Sequence, residues 1–303
     1  MKPVVTIGLV VKNNEGTIRE AVDGIVSQVF PHEFMEVIVV DGHSEDNTLS
    51  ILKTMFLKNE IKTKFFSETK GLGFARQIVV DNAIGKYILW VDGDIILTHN
   101  YIKKQLQVMN ENRKVGITAG VLGLLPGNLV LTLELIPSII DHKRYGQPKS
   151  FIWKTTKFPA TAGAFFRTEA VRIVKGFDIE LKGSGEDWDV TQRINDIGWK
   201  IRRNNAIFYE RHDDMSTIID LLRKYLWYGY TIQSLYQKNS NTFPISRMSP
   251  PAGFVSGFFY SLIAYKLLHK KIVFLLPIHF ALKMSAWFFG FFKSQTKCKK
   301  LVN

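Results

Sequence analysis

Residues 4–11 form an apolar run rich in β-branched side chains, after which Ile18, Ala21, Val22, Ile25 and Val26 recur at helical spacing. This pattern predicts a strand followed by an amphipathic helix. It then recurs: residues 36–40 precede a helix at 47–57 that Asp46 or Asn47 can cap, residues 64–66 precede a helix at 71–83, and residues 87–91 precede a helix at 100–109. Successive strand–helix units with continuous apolar strands predict an α/β fold, a mostly parallel sheet with helices on both faces. A further strand is expected at 116–125, while the Pro- and Lys-containing stretch 126–159 shows no pattern that assigns an element. A second half follows, with a short strand ending at Phe166, a helix from Glu169, a Gly183-Ser184-Gly185 loop and a helix at 187–197. A strand near 206–209 and an amphipathic helix at 214–238 complete it. Two apolar segments, 252–268 and 272–292, close the chain on either side of His269-Lys270-Lys271.

Charge separates these last segments from the rest. Residues 1–220 hold 28 basic and 27 acidic residues, whereas residues 221–303 hold 12 basic residues and no acidic one. A nearly neutral α/β part argues against a nucleic-acid-binding domain, and a basic, aromatic-rich tail fits the surface of an anionic membrane. At ~1.5 Å per residue the two segments would measure about 25 and 31 Å, against a hydrocarbon core of ~30 Å. They can therefore form a spanning hairpin or lie in the interface, and His279 and Lys283 inside the second segment need protein partners or a route to the headgroups. A soluble helical lid or a dimer interface is the remaining alternative. The single cysteine, Cys298, cannot form an intrachain disulfide, and the N-terminal residues read as a strand rather than a signal peptide. Membrane association with the catalytic part on the cytoplasmic face is the expectation.

Ligands of parallel sheets bind at the carboxyl ends of the strands, which directs attention to the residues after Val11, Val40 and Val91. Asp92-Gly93-Asp94 leaves the strand at 87–91, and its glycine would allow close approach of a ligand. Asp41 occupies the equivalent point of the second strand. Three carboxylates on one sheet edge suit a nucleotide held through base or ribose together with a divalent cation. No Gly-x-Gly-x-x-Gly follows the first strand, which weighs against a dinucleotide fold.

In order along residues 4–240 stand VTIGLVVKNNEGTI, VIVVDGHSEDNT, TKGLGFARQ, YILWVDGDIIL, TAGAFFRTEAV, GFD, GSGEDWDVTQRI and an isolated histidine in YERH. This series resembles the family 2 glycosyltransferases of GT-A fold. The resemblance implies a GT-A domain over 1–240, with a nucleotide-sugar-binding half at about 1–125 and an acceptor half at 160–240, followed by a membrane-associated helical tail at 241–303. It implies that the first motif holds the nucleotide through Val10, Lys12 and Asn14, with Val10-Val11-Lys12 standing where the family usually has Pro-Thr-Tyr. By the same analogy Asp41 reads the base and Arg76 lies near base or phosphate. Asp92 with Gly93 contacts ribose or metal, and Asp94 and His212 complete a site for Mg²⁺ or Mn²⁺. Asp187 is the general base, with Glu186 the runner-up.

The expected activity is metal-dependent, inverting transfer of a sugar from a nucleoside-diphosphate sugar to a membrane-presented acceptor, such as a polyprenyl-linked glycan or a polysaccharide. Two alternatives stand beside it: a polyprenyl-phosphate sugar synthase of the same fold, and a membrane-tethered nucleotide-sugar-binding protein with a degenerate site. A phosphate acceptor is already ionised and needs no base, so the Glu186-Asp187 pair weighs against the first.

Overall fold

A computed structural model describes residues 2–125, 127–145, 152–154, 160–213, 215–238 and 245–302. The chain opens with β1 (Val5–Val11), α1 (Ile18–Val26), β2 (Met35–Asp41), α2 (Thr48–Lys58), β3 (Thr63–Ser67), α3 (Leu72–Asn82) and β4 (Tyr87–Asp92). Then come β5 (Ile95–Leu97), α4 (Tyr101–Glu111), β6 (Val115–Leu122), α5 (Leu129–Tyr145), β7 (Ile152–Lys154), β8 (Phe165–Arg167) and α6 (Thr168–Ile173). The last elements are α7 (Glu186–Asp196), β9 (Lys200–Glu210), α8 (Ile218–Lys238), α9 (Pro250–Leu268) and α10 (Leu276–Val302), with a 3₁₀ turn at Lys271–Leu275.

The nine strands among the described residues join one sheet in the order β3-β2-β1-β4-β8-β6-β9-β5, with β7 paired to β9. The first four in the chain are parallel, and the central pair shows the unbroken apolar sequence that suits a parallel sheet: β1 and β2 are buried at every position, so both their faces are covered, whereas β3 at the edge is only partly buried. One core lies on the side of α1, α2 and α4, with Ile18, Val22, Leu52 and Ile102 against Ile7, Val37 and Leu89. The opposite core gathers Val79, Ala83, Ala170, Val190 and Ile194 around Trp90 and Phe166. The sheet is mixed. β8 runs antiparallel to both β4 and β6, and β5 and β7 run antiparallel to β9, directions that apolar periodicity does not encode.

The chain divides into two compact units. The first comprises residues 1–123, 148–182 and 186–211, and the second residues 124–147, 183–185 and 212–303. This division differs from a cut at 240, because α8 is packed into the second unit. A Cβ on Gly229 of α8 would collide with the carbonyl oxygen of Trp287, and one on Gly290 of α10 with that of Leu226, so each helix backbone lies on the other. Along α9, Gly253, Gly257, Ser261 and Ala264 form the buried stripe, and the first two meet Met284, Leu276 and Pro277. α5 closes this unit with Leu133, Ile136 and Ile140 against Ala264, Val273, Leu276 and Phe280. Pro250–Leu268 and Lys271–Ser294 are each long and apolar enough to cross a membrane by length and composition.

His279 and Lys283 are buried within that second stretch, and both meet protein. Glu134 of α5 accepts hydrogen bonds from Lys283 Nζ at 2.9 and 3.1 Å and lies 2.8 Å from His279 Nε2, and the Tyr225 hydroxyl donates to it as well. Burial opposes the charge on Glu134, but these partners outweigh it and bring the carboxyl down to about 2.

Candidate active site

Register places the acidic residues together. Val11 of β1 pairs with Asp41 of β2, and Val10 pairs with Asp92 of β4, so the two aspartates flank the end of the central strand. The loop after β1 is laced to the loop after β2. Asn13 donates its amide to Ser44 Oγ, Asn14 to Thr48 Oγ1 and Glu15 to Asp46, while Asn47 donates back to Glu15. Asp41 is buried, and its carboxylate accepts from the Ser44 amide at 3.1 Å and the Ser44 hydroxyl at 2.5 Å, which fixes its orientation at the edge. Val10 packs into the core beside Ile38, Val40 and Trp90, so its side chain is spent on packing, whereas Lys12 is exposed. The missing Cβ of Gly93 makes room for Asn14: any atom there would strike the Asn14 side chain, whose Oδ1 accepts from the Lys12 amide. Thr17 Oγ1 donates to the Gly93 carbonyl at 2.8 Å. Lys12, Asn14 and the Asp92–Asp94 turn are thus one assembly.

Glycines at the start of α3 let the segment that leads toward the acidic pair of α7 come close to this edge. Gly71 has φ 108°, open to glycine and strained for other residues, and a Cβ on Gly73 would strike the Asp178 carbonyl. This close approach lets the amides of Leu72 and Gly73 donate to the carbonyls of Lys182 and Leu181. One turn further on, Arg76 is buried with its Nη1 on Glu186 and its Nη2 3.3 Å from Asp92. A guanidinium therefore joins the strand-end carboxylate to the helix-start carboxylate. Burial works against the charge of Arg76, yet Glu186, Asp92 and Asp187 together hold it protonated. Burial likewise pushes the Glu186 carboxyl up, to about 8, and raises Asp187, with Arg76 pulling both back. Repulsion among the carboxyl groups adds to burial, Asp187 and Asp92 raising Glu186 and Asp92 raising Asp187.

The two residues of the pair differ in surroundings. Glu186 is 2% exposed and turned onto Arg76, whereas Asp187 is half-buried and accepts from the backbone amides of Trp188, at 2.7 Å, and Thr161. Thr161 belongs to the TAGA motif, which is clamped to β4 by Gly163 N–H to Trp90 O and Trp90 N–H to Ala164 O. The role of Thr161 was not legible in sequence. The Arg76–Glu186 link had one signal: an arginine on the buried face of α3, among Gly73, Ala75, Val79 and Val80, requires a buried anion.

For a divalent cation, the half-exposed carboxylates of Asp92 and Asp94 are oxygen donors of the right kind at the strand end. Among the described residues no three His, Cys, Asp or Glu side chains are grouped to hold a metal ion. Two carboxylates still suffice for Mg²⁺, which commonly takes its other ligands from water and substrate phosphates. His212 follows Arg211, whose amide donates to the Asp94 carbonyl at 2.9 Å.

Comparison with known proteins agrees with this arrangement. The profile of Glycosyl transferase family 2 matches residues 6–175. An uncharacterized glycosyltransferase of Methanocaldococcus jannaschii is 23% identical over 91% of this chain and 92% of its own length. A probable glycosyltransferase of Sulfolobus acidocaldarius is 26% identical over 59% of this chain, which spans 40% of that relative's length. Among solved structures, the mannosyltransferase PcManGT of Pyrobaculum calidifontis, in complex with GDP-Man and Mn²⁺, superimposes with a TM-score of 0.65 at 16% identity, over 97% of this chain and 88% of that one. TarS 1–349 of S. aureus in complex with UDP gives 0.54 at 16% identity, over 98% and 92%. The likeness in structure is one of fold, and the profile match covers more than half of the sequence: the chain belongs to glycosyl transferase family 2.

Proposed function

We propose that the protein transfers a sugar, with inversion, from a nucleoside-diphosphate sugar to a hydroxyl of a membrane-presented acceptor, a polyprenyl-linked glycan being the class that fits best. The observation that supports this reading is the Asp92–Arg76–Glu186 chain, which ties the strand end to the start of α7, where Asp187 follows Glu186. Asp41 and the Lys12–Asn14 loop are assigned to the nucleotide. Asp92 and Asp94 would hold Mg²⁺ or Mn²⁺, with His212 as a further ligand, and when bound the cation neutralises the departing diphosphate. PcManGT with its GDP-Man and Mn²⁺ supports this assignment by analogy of fold.

Asp187 takes the proton of the attacking hydroxyl. Its raised pKa suits the task, because a base nearer the working pH is a stronger acceptor of that proton than an ordinary carboxylate. Glu186 is held on Arg76 and acts in positioning. One base-activated hydroxyl displacing the diphosphate directly gives inversion at the sugar carbon, with no second nucleophile. Release of nucleoside diphosphate from a panel of UDP-, GDP- and dTDP-sugars, with lipid-linked sugars as acceptors and with Mn²⁺ or EDTA, tests the proposal. Metal-dependent release with one donor is expected, and hydrolysis or transfer with none of them would refute it.

A further inference from the structure

The surface left by the second unit is apolar and unpaired over a wide area. On α9 the residues outside the small buried stripe include exposed Phe254, Val255, Phe258, Phe259, Leu262 and Ile263, and on α10 Ile278, Leu282, Phe289 and Phe292 recur at helical spacing along one exposed edge. Lys266, Lys270, Lys271 and Lys293 are exposed around this face, and residues 221–303 contain no acidic residue at all. Among the described residues every charged side chain exposed on α9, α10 and the turn between them is a lysine, which matches acyl chains beneath anionic headgroups, whereas two copies of this surface would bring like charges together.

The packing of α10 decides how deep it can go. Its later half lies along α8: Trp287 covers Gly229, Tyr236 meets Phe291 at 5.4 Å between ring centroids, and Ser294 donates to Gln233 at 2.9 Å. The same stretch of α8 holds the loop that leads into the acidic pair. Ser184 Oγ is 2.6 Å from Thr231 Oγ1, Gly183 abuts Thr231, and Gly185 abuts Ile232 and Leu235. Asp187 is two residues beyond that loop. The other face of α8 exposes Arg223, Ser234, Gln237 and Lys238, and an open cleft of about 420 Å³ is lined there by Asp220, Arg223, Lys224, Trp227 and Tyr228. A helix so charged and so tied to the catalytic loop belongs in water. The half of α10 beside it cannot then cross a bilayer core, and Lys283 and His279, at the middle of the apolar stretch, are already satisfied by Glu134 without reaching headgroups.

We propose that the second unit docks on a single leaflet of an anionic bilayer through the exposed faces of α9 and α10, and that no segment of it crosses the membrane. The docked face would then keep the catalytic loop at the level of the headgroups, where a lipid-linked hydroxyl arrives. The proposal rests on the membrane-presented acceptor only for that purpose, and its test does not use activity.

Two measurements on the full chain test it. The first is co-sedimentation with phosphatidylcholine vesicles with and without phosphatidylglycerol. Binding that strengthens with phosphatidylglycerol and weakens in high salt is expected, and Phe258→Asp combined with Phe259→Asp should weaken it by at least about tenfold while circular dichroism stays native. A chain that ignores both vesicles and instead forms dimers dissociated by the same pair of substitutions would assign the face to a second copy and overturn the proposal. The second is sidedness. With Cys298 replaced by Ser, Lys270→Cys and Arg223→Cys should react with an impermeant maleimide from the same face of sealed membrane vesicles. Reaction from opposite faces would show a spanning hairpin and overturn it.

Discussion

At the scale of single residues, the groups that hold the candidate site differ from those proposed to act in it. Glu186 is the buried partner of Arg76, so Glu186→Ala leaves a guanidinium with Asp92 as its remaining fixed partner and should cost about 3 kcal/mol in urea unfolding. Asp94→Asn should abolish transfer and weaken Mn²⁺-dependent donor binding, and His212→Ala should weaken both to a lesser degree. Equal donor affinity of the wild type with and without metal, by calorimetry, would contradict the pairing of Asp92 and Asp94 with a cation. The pH profile carries a sign. Asp187 must be ionised to accept a proton, and burial raises its pKa, so turnover should fall on the acid side at a higher pH than an ordinary, solvated aspartate would give. Asp92, Arg76 and Asp187 were legible in sequence as candidates because each sits in a motif. That Arg76, on the buried face of α3, needs a buried anion was legible too, but that Glu186 is this anion was not, since it depends on how closely two glycines let one loop approach α3.

At the scale of elements, α8 and α10 cross where glycine meets backbone. Gly229→Val should therefore overpack this crossing and destabilise the chain by ~1–3 kcal/mol, read by thermal unfolding, whereas the same change at Gly16, whose Cβ would meet nothing, should not. The Glu134 cluster gives a second test. Its folded carboxyl titrates near 2 rather than 4.5, so the stability it contributes is complete above the unfolded value and is lost as pH falls from about 4.5 toward 2. Glu134→Gln should flatten that acid decline of Tm while lowering Tm at neutral pH, because Lys283 loses its counter-charge. The elements read most easily were those with unbroken apolar runs or helical spacing: β1, β2, β4, α1, α3 and α4 fall within a residue or two of their expected positions. α5 was hidden by Pro137 inside it, a residue that reads as a breaker yet is accommodated here. The first half of β9 was hidden by Lys200-Ile-Arg-Arg-Asn-Asn205, polar residues of which Asn204 is nonetheless fully buried, bonding Gln105 and the Ala206 amide.

At the scale of the whole molecule, the proposal places nucleotide and metal at the parallel β1–β4 edge and the base at α7, and the helical second unit adds an apolar, basic surface. That surface comes from residues 212–303, beyond the 6–175 that the family profile matches. The claim on which the rest depends is that Asp187 is the catalytic base rather than a helix cap. Asp187→Asn keeps the shape and the capping ability of the side chain but cannot take a proton at neutral pH. Turnover, donor affinity and Tm measured together on this one variant test the claim most directly. The account predicts turnover lower by ~10² to 10⁴ with donor affinity and Tm unchanged, and turnover close to wild type would contradict it.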